Sequence, residues 1–128
     1  VPGDGIGEFN LPHSVWVDES DRVYVADREN HRIQIFTPDG EFIEQWSGFR
    51  QPTDFFLDAD GFLYVAELQH RVSILNRDGE IVARLGGDES NAPGQFIAPH
   101  AVWKDSKDAL YVGEVLEGQR IQKFVRRR

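Results

Sequence analysis

The stretch VYVADRENHRIQIF, residues 23–36, is the part of this sequence that decides the fold. It begins with VYVA and ends with RIQIF, two short runs rich in β-branched and aromatic residues, as is typical of strands. Between them lies the polar segment DRENH, residues 27–31, which has the composition of a loop. Residues 23–36 therefore predict two antiparallel strands joined by a short polar connection.

The same pattern occurs twice more, in FLYVAELQHRVSIL at 62–75 and in ALYVGEVLEGQRIQKF at 109–124. A proline-led strand precedes each copy, and the three prolines lie 40 and 47 residues apart. After the first two copies a PDG or RDG turn leads into a further strand, which gives four strands A to D in each unit. This spacing suits the four-stranded blades of a β-propeller, with units at 11–48, 51–87 and 98–128.

The predicted fold is thus all-β, with about three four-stranded antiparallel blades in a single domain, residues 1–128. The third unit lacks strand D, because the printed sequence stops soon after RIQKF. Propellers have 4–8 blades, so three blades form an open arc with two bare apolar faces. We expect these faces to be covered either by the rest of a six-bladed parent propeller or by self-association that closes the ring.

The segment VADRENHRIQIF resembles the signature of NHL repeats, which are named after an Asn-His-Leu triplet; here the triplet is Asn-His-Arg, residues 30–32. The resemblance extends over nearly the whole chain through the recurring proline, "YVA", Arg-Ile or Arg-Val, and "DG" elements. It implies an NHL-type β-propeller, a group whose members are mostly six-bladed and often serve as interaction platforms.

Composition and charge narrow the possible partners. The net charge of −8 argues against binding nucleic acid or an anionic membrane surface, because both require a basic face. The chain has no cysteine, which excludes disulfides and thiolate zinc sites. A protein or small-molecule ligand at the mouth of the channel is the partner that this fold favours.

Two histidines occur at the same position of two blades. His13 lies in PHSVWVD and His100 in PHAVWKD, whereas the middle blade has PTDFFLD with Thr53. Strand A is the innermost strand of a propeller blade, so both imidazoles should reach one mouth of the channel. Three neutral imidazoles and an open water position make a catalytic zinc site, and a third histidine two blades further on would complete it.

Strand pairing predicts which residues accompany the histidines at that mouth. A tight A–B turn would place His13 opposite Asp27, next to Arg28, and His100 opposite Glu114. We therefore expect these five side chains to surround the channel mouth.

A second resemblance gives these residues candidate roles. FNLPHSVWVD with VYVADRENHRIQIF is similar to a blade of peptidyl-α-hydroxyglycine α-amidating lyases, six-bladed propellers with three histidine zinc ligands. It implies that His13 and His100 are zinc ligands and that Arg28 is a catalytic residue. In those lyases the QPTD blade carries a catalytic tyrosine after strand B, where this chain has Leu68 and Gln69.

Two classes of function remain open on the sequence. The first is a binding or interaction module that presents its mouth to a ligand. The second is a zinc-dependent C–N lyase, or a fragment of one, in which the metal acts on a C-terminal α-hydroxyglycine. The aspartates of the A–B turns, among them Asp18 and Asp58, are interpreted as turn residues rather than as calcium ligands.

Overall fold

The computed structural model describes residues 2–126, which form three antiparallel β-sheets. The first sheet contains β1 (Pro12–Val17), β2 (Val23–Asp27), β3 (Arg32–Phe36) and β4 (Phe42–Ser47). The second contains β5 (Pro52–Leu57), β6 (Leu63–Glu67), β7 (Arg71–Leu75) and β8 (Ile81–Gly86). The third contains β9 (Pro99–Lys104), β10 (Leu110–Glu114) and β11 (Ile121–Phe124).

The all-β prediction and the three blades are confirmed. Strand order within each sheet follows the chain, so every sheet is a simple meander with the proline-led strand at one edge. The third sheet has three strands among residues 2–126, as the sequence predicted; the last two residues of the predicted third blade lie outside the described residues. Within residues 2–126 no helix is long and apolar enough to cross a membrane.

The three proline-led strands lie next to one another, with β5 between β1 and β9. Each blade has a front face, defined by the positions of Val15 and Val25 in the first blade, and a back face, defined by those of Trp16 and Tyr24. The back of one blade packs on the front of the next. This regular stacking is the arrangement of propeller blades around a channel.

Two apolar cores fill the gaps between the blades. The core between the first and second blades consists of Tyr24, Ala26, Ile33, Ile35, Phe49, Phe55, Leu63, Val65 and Leu75. The core between the second and third blades consists of Tyr64, Ala66, Val72, Phe96, Val102, Leu110 and Val112. Nearly all members come from the three inner strands of a blade, because alternate residues of those strands point to the same face.

The outer blades each leave one face uncovered, as expected for an open arc. On the front of the first blade, Val15 is 61% exposed and Val17 is 53% exposed. On the back of the third blade, Trp103 is 60% exposed and Ile121 is 76% exposed. The equivalent positions are buried or partly buried where two blades meet.

The predicted pairing of the histidines is wrong by one residue. The proline pairs with the acidic residue, Pro12 with Asp27 and Pro99 with Glu114. The next pairs are Ser14 with Ala26 and Ala101 with Gly113, so two residues are passed on the proline-led strand and one on the acidic strand. His13 and His100 are therefore the extra residues of β-bulges. A bulge bends its strand and redirects the side chain it carries, which an alternating pattern does not reveal.

The A–B turns confirm the turn interpretation of their aspartates. Asp18 accepts hydrogen bonds from the backbone N–H groups of Ser20 and Arg22, and its second oxygen accepts one from the Tyr24 hydroxyl at 2.8 Å. Burial, together with this bond, raises the pKa of Tyr24 to about 12. Asp58 and Asp105 repeat the arrangement with the tyrosines of their own blades.

Candidate functional site

The structure brings His13 and His100 into direct contact. Their ring centroids lie 4.6 Å apart with the planes at 82°, an edge-to-face arrangement. The two residues come from the first and third blades, so the contact joins the two blades that flank the second. The sequence placed both at one mouth of the channel but did not predict that the rings touch.

Thr53 of the middle blade explains why that blade carries no third histidine. Its side chain is buried, and its hydroxyl lies 3.1 Å from the carbonyl oxygens of Ala66 and Pro99, between which it shares its single proton. Its own carbonyl oxygen lies 3.1 Å from Nδ1 of His13. A small side chain suits this fully buried position, because an imidazole is bulkier and would disrupt the hydrogen bonds of the hydroxyl.

The bond to Thr53 also determines which nitrogen of His13 is available. A carbonyl oxygen only accepts hydrogen bonds, so Nδ1 of His13 must be the donor. In the neutral imidazole Nε2 then keeps its lone pair and can accept a hydrogen bond or bind a metal. The backbone of the second blade thus orients the ring and selects its tautomer.

His100 is held in a state that favours the neutral ring. Burial lowers the pKa of His100, and electrostatic interactions with His13 and Arg28 lower it further, while Asp54 opposes them. At neutral pH the mouth therefore presents the uncharged imidazole of His100 beside His13.

Arg28 lies close enough to the rings to influence His100, and Glu29 fixes its position. Nε of Arg28 donates to Oε1 of Glu29 at 2.9 Å, and the side-chain amide of Gln51 donates to the same oxygen at 2.8 Å. The hydrogen bond from Gln51 is the main cause that holds the pKa of Glu29 below its usual value, and the bond from Arg28 lowers this pKa further. Among residues 2–126, nothing hydrogen-bonds the two terminal nitrogens of Arg28, so they are available to a ligand.

Asp54 joins the inner strands of all three blades, a role that sequence reasoning missed. Its Oδ1 accepts from the hydroxyl of Ser14 in the first blade, and its Oδ2 accepts from the backbone N–H of Val102 in the third, both at 3.1 Å. The sequence signal that could have identified this role is the carboxylate of Asp54 within β5, whose other residues are mostly apolar.

The expectation that Asp27 and Glu114 surround the mouth is wrong. Asp27 is fully buried, and its carboxylate accepts from Nε of Arg32 at 2.8 Å and from the backbone N–H of Asn10 at 2.8 Å. The other guanidinium nitrogens of Arg32 donate to backbone carbonyls of the preceding connection, including that of Gly5 at 2.9 Å. We call this acid–arginine pair and the loop it holds a loop clamp.

Each blade contains one loop clamp. In the second blade Glu67 accepts from Arg71 at 2.7 Å and from the backbone N–H of Arg50 at 2.7 Å. In the third, Glu114 accepts from Arg120 at 2.6 Å and from the backbone N–H of Ile97 at 2.8 Å. The acid of "YVAD" and the arginine of "RIQIF" are therefore structural residues of the repeat.

The mouth brings together two imidazoles, which is fewer ligands than a zinc site requires. His13 and His100 offer two imidazole ligands with the correct chemistry for zinc, and Nε2 of His13 is oriented by a backbone carbonyl as metal-binding histidines usually are. Within residues 2–126 no cluster of three or more histidine, aspartate or glutamate side chains could hold a metal ion. The third ligand of a catalytic zinc site would have to come from another blade.

The chain is similar to known propeller proteins over nearly its full length. The family model for the NHL repeat matches residues 9–36. Human NHL repeat-containing protein 3 is 36% identical over 133 residues, which covers 96% of this chain and 38% of that protein. A probable peptidyl-α-hydroxyglycine α-amidating lyase from Caenorhabditis elegans is 27% identical over 134 residues, which covers 94% of this chain and 38% of that protein.

Solved structures support the fold independently. The crystal structure of a Bacteroides caccae protein of unknown function superposes with a TM-score of 0.71 at 16% identity, covering 83% of this chain and 39% of that one. The present chain thus spans about two fifths of the length of these relatives. That share corresponds to an arc of blades rather than to a closed ring.

Proposed function

Because this chain belongs to the NHL-repeat family of β-propeller proteins, we propose that it is a binding module whose ligand site is the channel mouth formed by His13, His100 and Arg28. The observation that carries this proposal is the contact between the two imidazoles, 4.6 Å apart, beside a guanidinium with unused donors. A few polar groups that converge at one place are the feature by which a ligand site is recognised.

The chemistry of these groups indicates a small ligand with a carboxylate. The terminal nitrogens of Arg28 can donate two parallel hydrogen bonds to such a group. Nε2 of His13 can accept a hydrogen bond from a neighbouring hydroxyl or amide of the same ligand. The net charge of the chain is −8, which repels a carboxylate, so Arg28 provides a local attraction for this ligand.

Glyoxylate, a small carboxylate, is a suitable probe. We expect saturable changes in the ring NMR signals of His13 and His100 as glyoxylate is added. Arg28→Gln should abolish the saturation, whereas Arg22→Gln should keep it, because Arg22 pairs with Glu44 elsewhere in the same blade. Equal, non-saturating changes in both variants would contradict the proposed site.

A second candidate is a zinc-dependent lyase, which the 27% identity to the amidating lyase over 94% of this chain favours. In it His13 and His100 would hold zinc together with a ligand from another blade. Bound zinc would polarise the substrate or lower the pKa of a water molecule. Arg28 would hold the carboxylate of a peptide ending in α-hydroxyglycine, whose C–N bond is cleaved to give an amide and glyoxylate.

The lyase stands second because Leu68 and Gln69 occupy the segment in which the resemblance places a catalytic tyrosine. Metal analysis after zinc loading separates the two candidates. Stoichiometric zinc that is lost in His13→Ala, together with glyoxylate release from an α-hydroxyglycine peptide, would support the enzyme. Glyoxylate binding that persists in a chelator would support the binding module.

A further inference from the structure

The segment just before β5 contains a glutamine that joins the first blade to the second at the channel mouth. The side-chain amide of Gln51 donates to Oε1 of Glu29 at 2.8 Å, and the same oxygen accepts from Nε of Arg28 at 2.9 Å. We propose that Gln51 is a positioning residue, which holds the carboxylate of Glu29, and through it the guanidinium of Arg28, in place for a ligand. This inference rests on the proposed function of the mouth and adds the residue that orients its cation.

All four polar groups of Gln51 are hydrogen-bonded. Its backbone N–H donates to Nδ1 of His31 at 3.2 Å, and its carbonyl oxygen accepts from the backbone N–H of Leu68 at 2.8 Å. A carboxylate only accepts hydrogen bonds, so the NH2 group of Gln51 must face Glu29, and its side-chain oxygen accepts from the amide of Gln69 at 2.9 Å. Bonds to both blades therefore fix the direction in which this amide points.

The equivalent positions of the other blades carry apolar side chains. Leu11 precedes the proline of β1, and Ala98 precedes the proline of β9. Leu11 has nearly the same backbone conformation as Gln51, with φ of 55° against 57°, so this left-handed conformation does not depend on the glutamine. The architecture accepts leucine here, which means that the amide of Gln51 is a feature of this one junction rather than of the repeat.

The cation that the amide bridge orients is a feature of the same junction. Leu68 follows Glu67 in the second blade as Arg28 follows Asp27 in the first, so the second blade has an apolar side chain where the first has a guanidinium. The glutamine and the arginine thus occur together, at the junction where the terminal guanidinium nitrogens face the mouth. Two non-repeating residues joined through one carboxylate are best explained by a shared role at that site.

Arg28 needs this support because its usual partner would compete with the ligand. The side chains of Arg28 and Glu29 are 21% and 30% exposed, so neither is held by burial alone. A free Glu29 could turn to the terminal nitrogens of Arg28 and form the two-bond pair that a ligand carboxylate would otherwise form. The bond from Gln51 keeps Glu29 at the Nε edge of the guanidinium, which leaves the terminal nitrogens to the ligand.

Gln51→Leu tests the inference first without a ligand. Position 11 carries leucine in the same backbone conformation, so the variant should fold, and circular dichroism should show an unchanged β content. The pKa of Glu29 should rise toward its usual value, because the bond from Gln51 is the main cause that lowers it. NMR should also show several-fold faster exchange of the Arg28 Nε–H with water, since its acceptor is no longer held.

Glyoxylate titration then measures the effect on binding. Gln51→Leu should raise the dissociation constant by about threefold to tenfold, because Arg28 and Glu29 must then be ordered when the ligand binds. Gln119→Leu is the matched control and should leave the constant unchanged, because it makes the same exchange at an exposed residue with φ of 42° in the B–C loop of the third blade. In a Glu29→Ala chain, Gln51→Leu should have little further effect, because Gln51 acts through that carboxylate.

The two sets of measurements separate this inference from the proposed function. Unchanged Nε–H exchange of Arg28 in Gln51→Leu, or an unchanged dissociation constant, would overturn the inference while the binding site stands. Additive losses in the double variant with Glu29→Ala would overturn it as well, because Gln51 would then contact the ligand itself. If the wild-type chain does not bind glyoxylate, the proposed function fails, and the measurements without ligand still decide whether Gln51 holds Arg28.

Discussion

Two polar positions lie at the same end of every blade, and they differ in how they repeat. The loop clamp has a buried carboxylate and an arginine in all three blades, with the same bonds to the preceding connection. The bulged position of the inner strand is histidine, threonine and histidine. A residue type that the architecture requires recurs in each blade, whereas the position that faces the channel is free to vary with function.

The largest expected effect comes from breaking a clamp. Arg71→Met leaves the fully buried carboxylate of Glu67 without its partner, and removing one member of a buried ion pair typically costs about 3–5 kcal/mol. Urea unfolding should show this loss in the free energy of unfolding. Arg77→Met is the control, because its pair with Glu19 is exposed and such pairs contribute about 1 kcal/mol or less. Equal losses in the two variants would contradict the structural role of the clamp.

An intermediate effect is expected at the middle blade of the mouth. Thr53→Val keeps the shape of the side chain but removes a buried hydroxyl that bonds the carbonyls of Ala66 and Pro99, so we expect a loss of about 1–2 kcal/mol. Thr53→Ser retains the hydroxyl and should lose less of the bond energy. If urea unfolding ranks valine above serine in stability, Thr53 is a spacer and its hydrogen bonds contribute nothing.

The smallest effect concerns the pH dependence of the mouth. The pKa of His100 lies below its usual 6.5, so the unfolded chain binds a proton first as the pH falls. The free energy of unfolding should therefore begin to decrease as the pH falls through 6.5. The decrease should be complete once the pH is below the lower pKa of His100 in the folded state.

Replacement of His13 sharpens that test. Because His13 is one cause of the lowered pKa, His13→Asn should raise the pKa of His100 and flatten this part of the pH profile. NMR titration of the His100 ring measures the pKa directly. An unchanged titration curve would mean that burial and Arg28 lower the pKa without His13 and that the two rings are not electrostatically coupled.

The strands and their order could be predicted from the sequence because each one has its own local signal. Runs of β-branched and aromatic residues such as residues 23–26, and turns such as Asp-Gly at 39–40, depend on neighbours a few residues away. The repeat then supplied the long-range arrangement, since three copies of one unit pack in one way. The same reasoning predicts an open arc whose first blade exposes the apolar side chains of Val15 and Val17.

The site was less predictable because it depends on geometry that no local pattern encodes. A bulge between Pro12 and Ser14 shifts the pairing by one residue, which turns His13 toward the channel and leaves Asp27 inside the blade. The contact between His13 and His100 follows from the way β5 lies between their strands. The first fact pairs residues 12 to 15 positions apart and the second joins residues 87 positions apart, and a local sequence pattern does not determine either contact.

The loop clamp shows where one inherited unit of this protein begins and ends. The arginine of the second blade donates to the carbonyl of Gly48, and its carboxylate partner accepts from the N–H of Arg50, both ahead of Pro52. A segment copied or transplanted from Pro52 onward would separate Glu67 and Arg71 from the loop that they hold. Duplication of residues 48–86 would carry the acid, the arginine and the loop together, so a cut directly after strand D keeps the clamp intact.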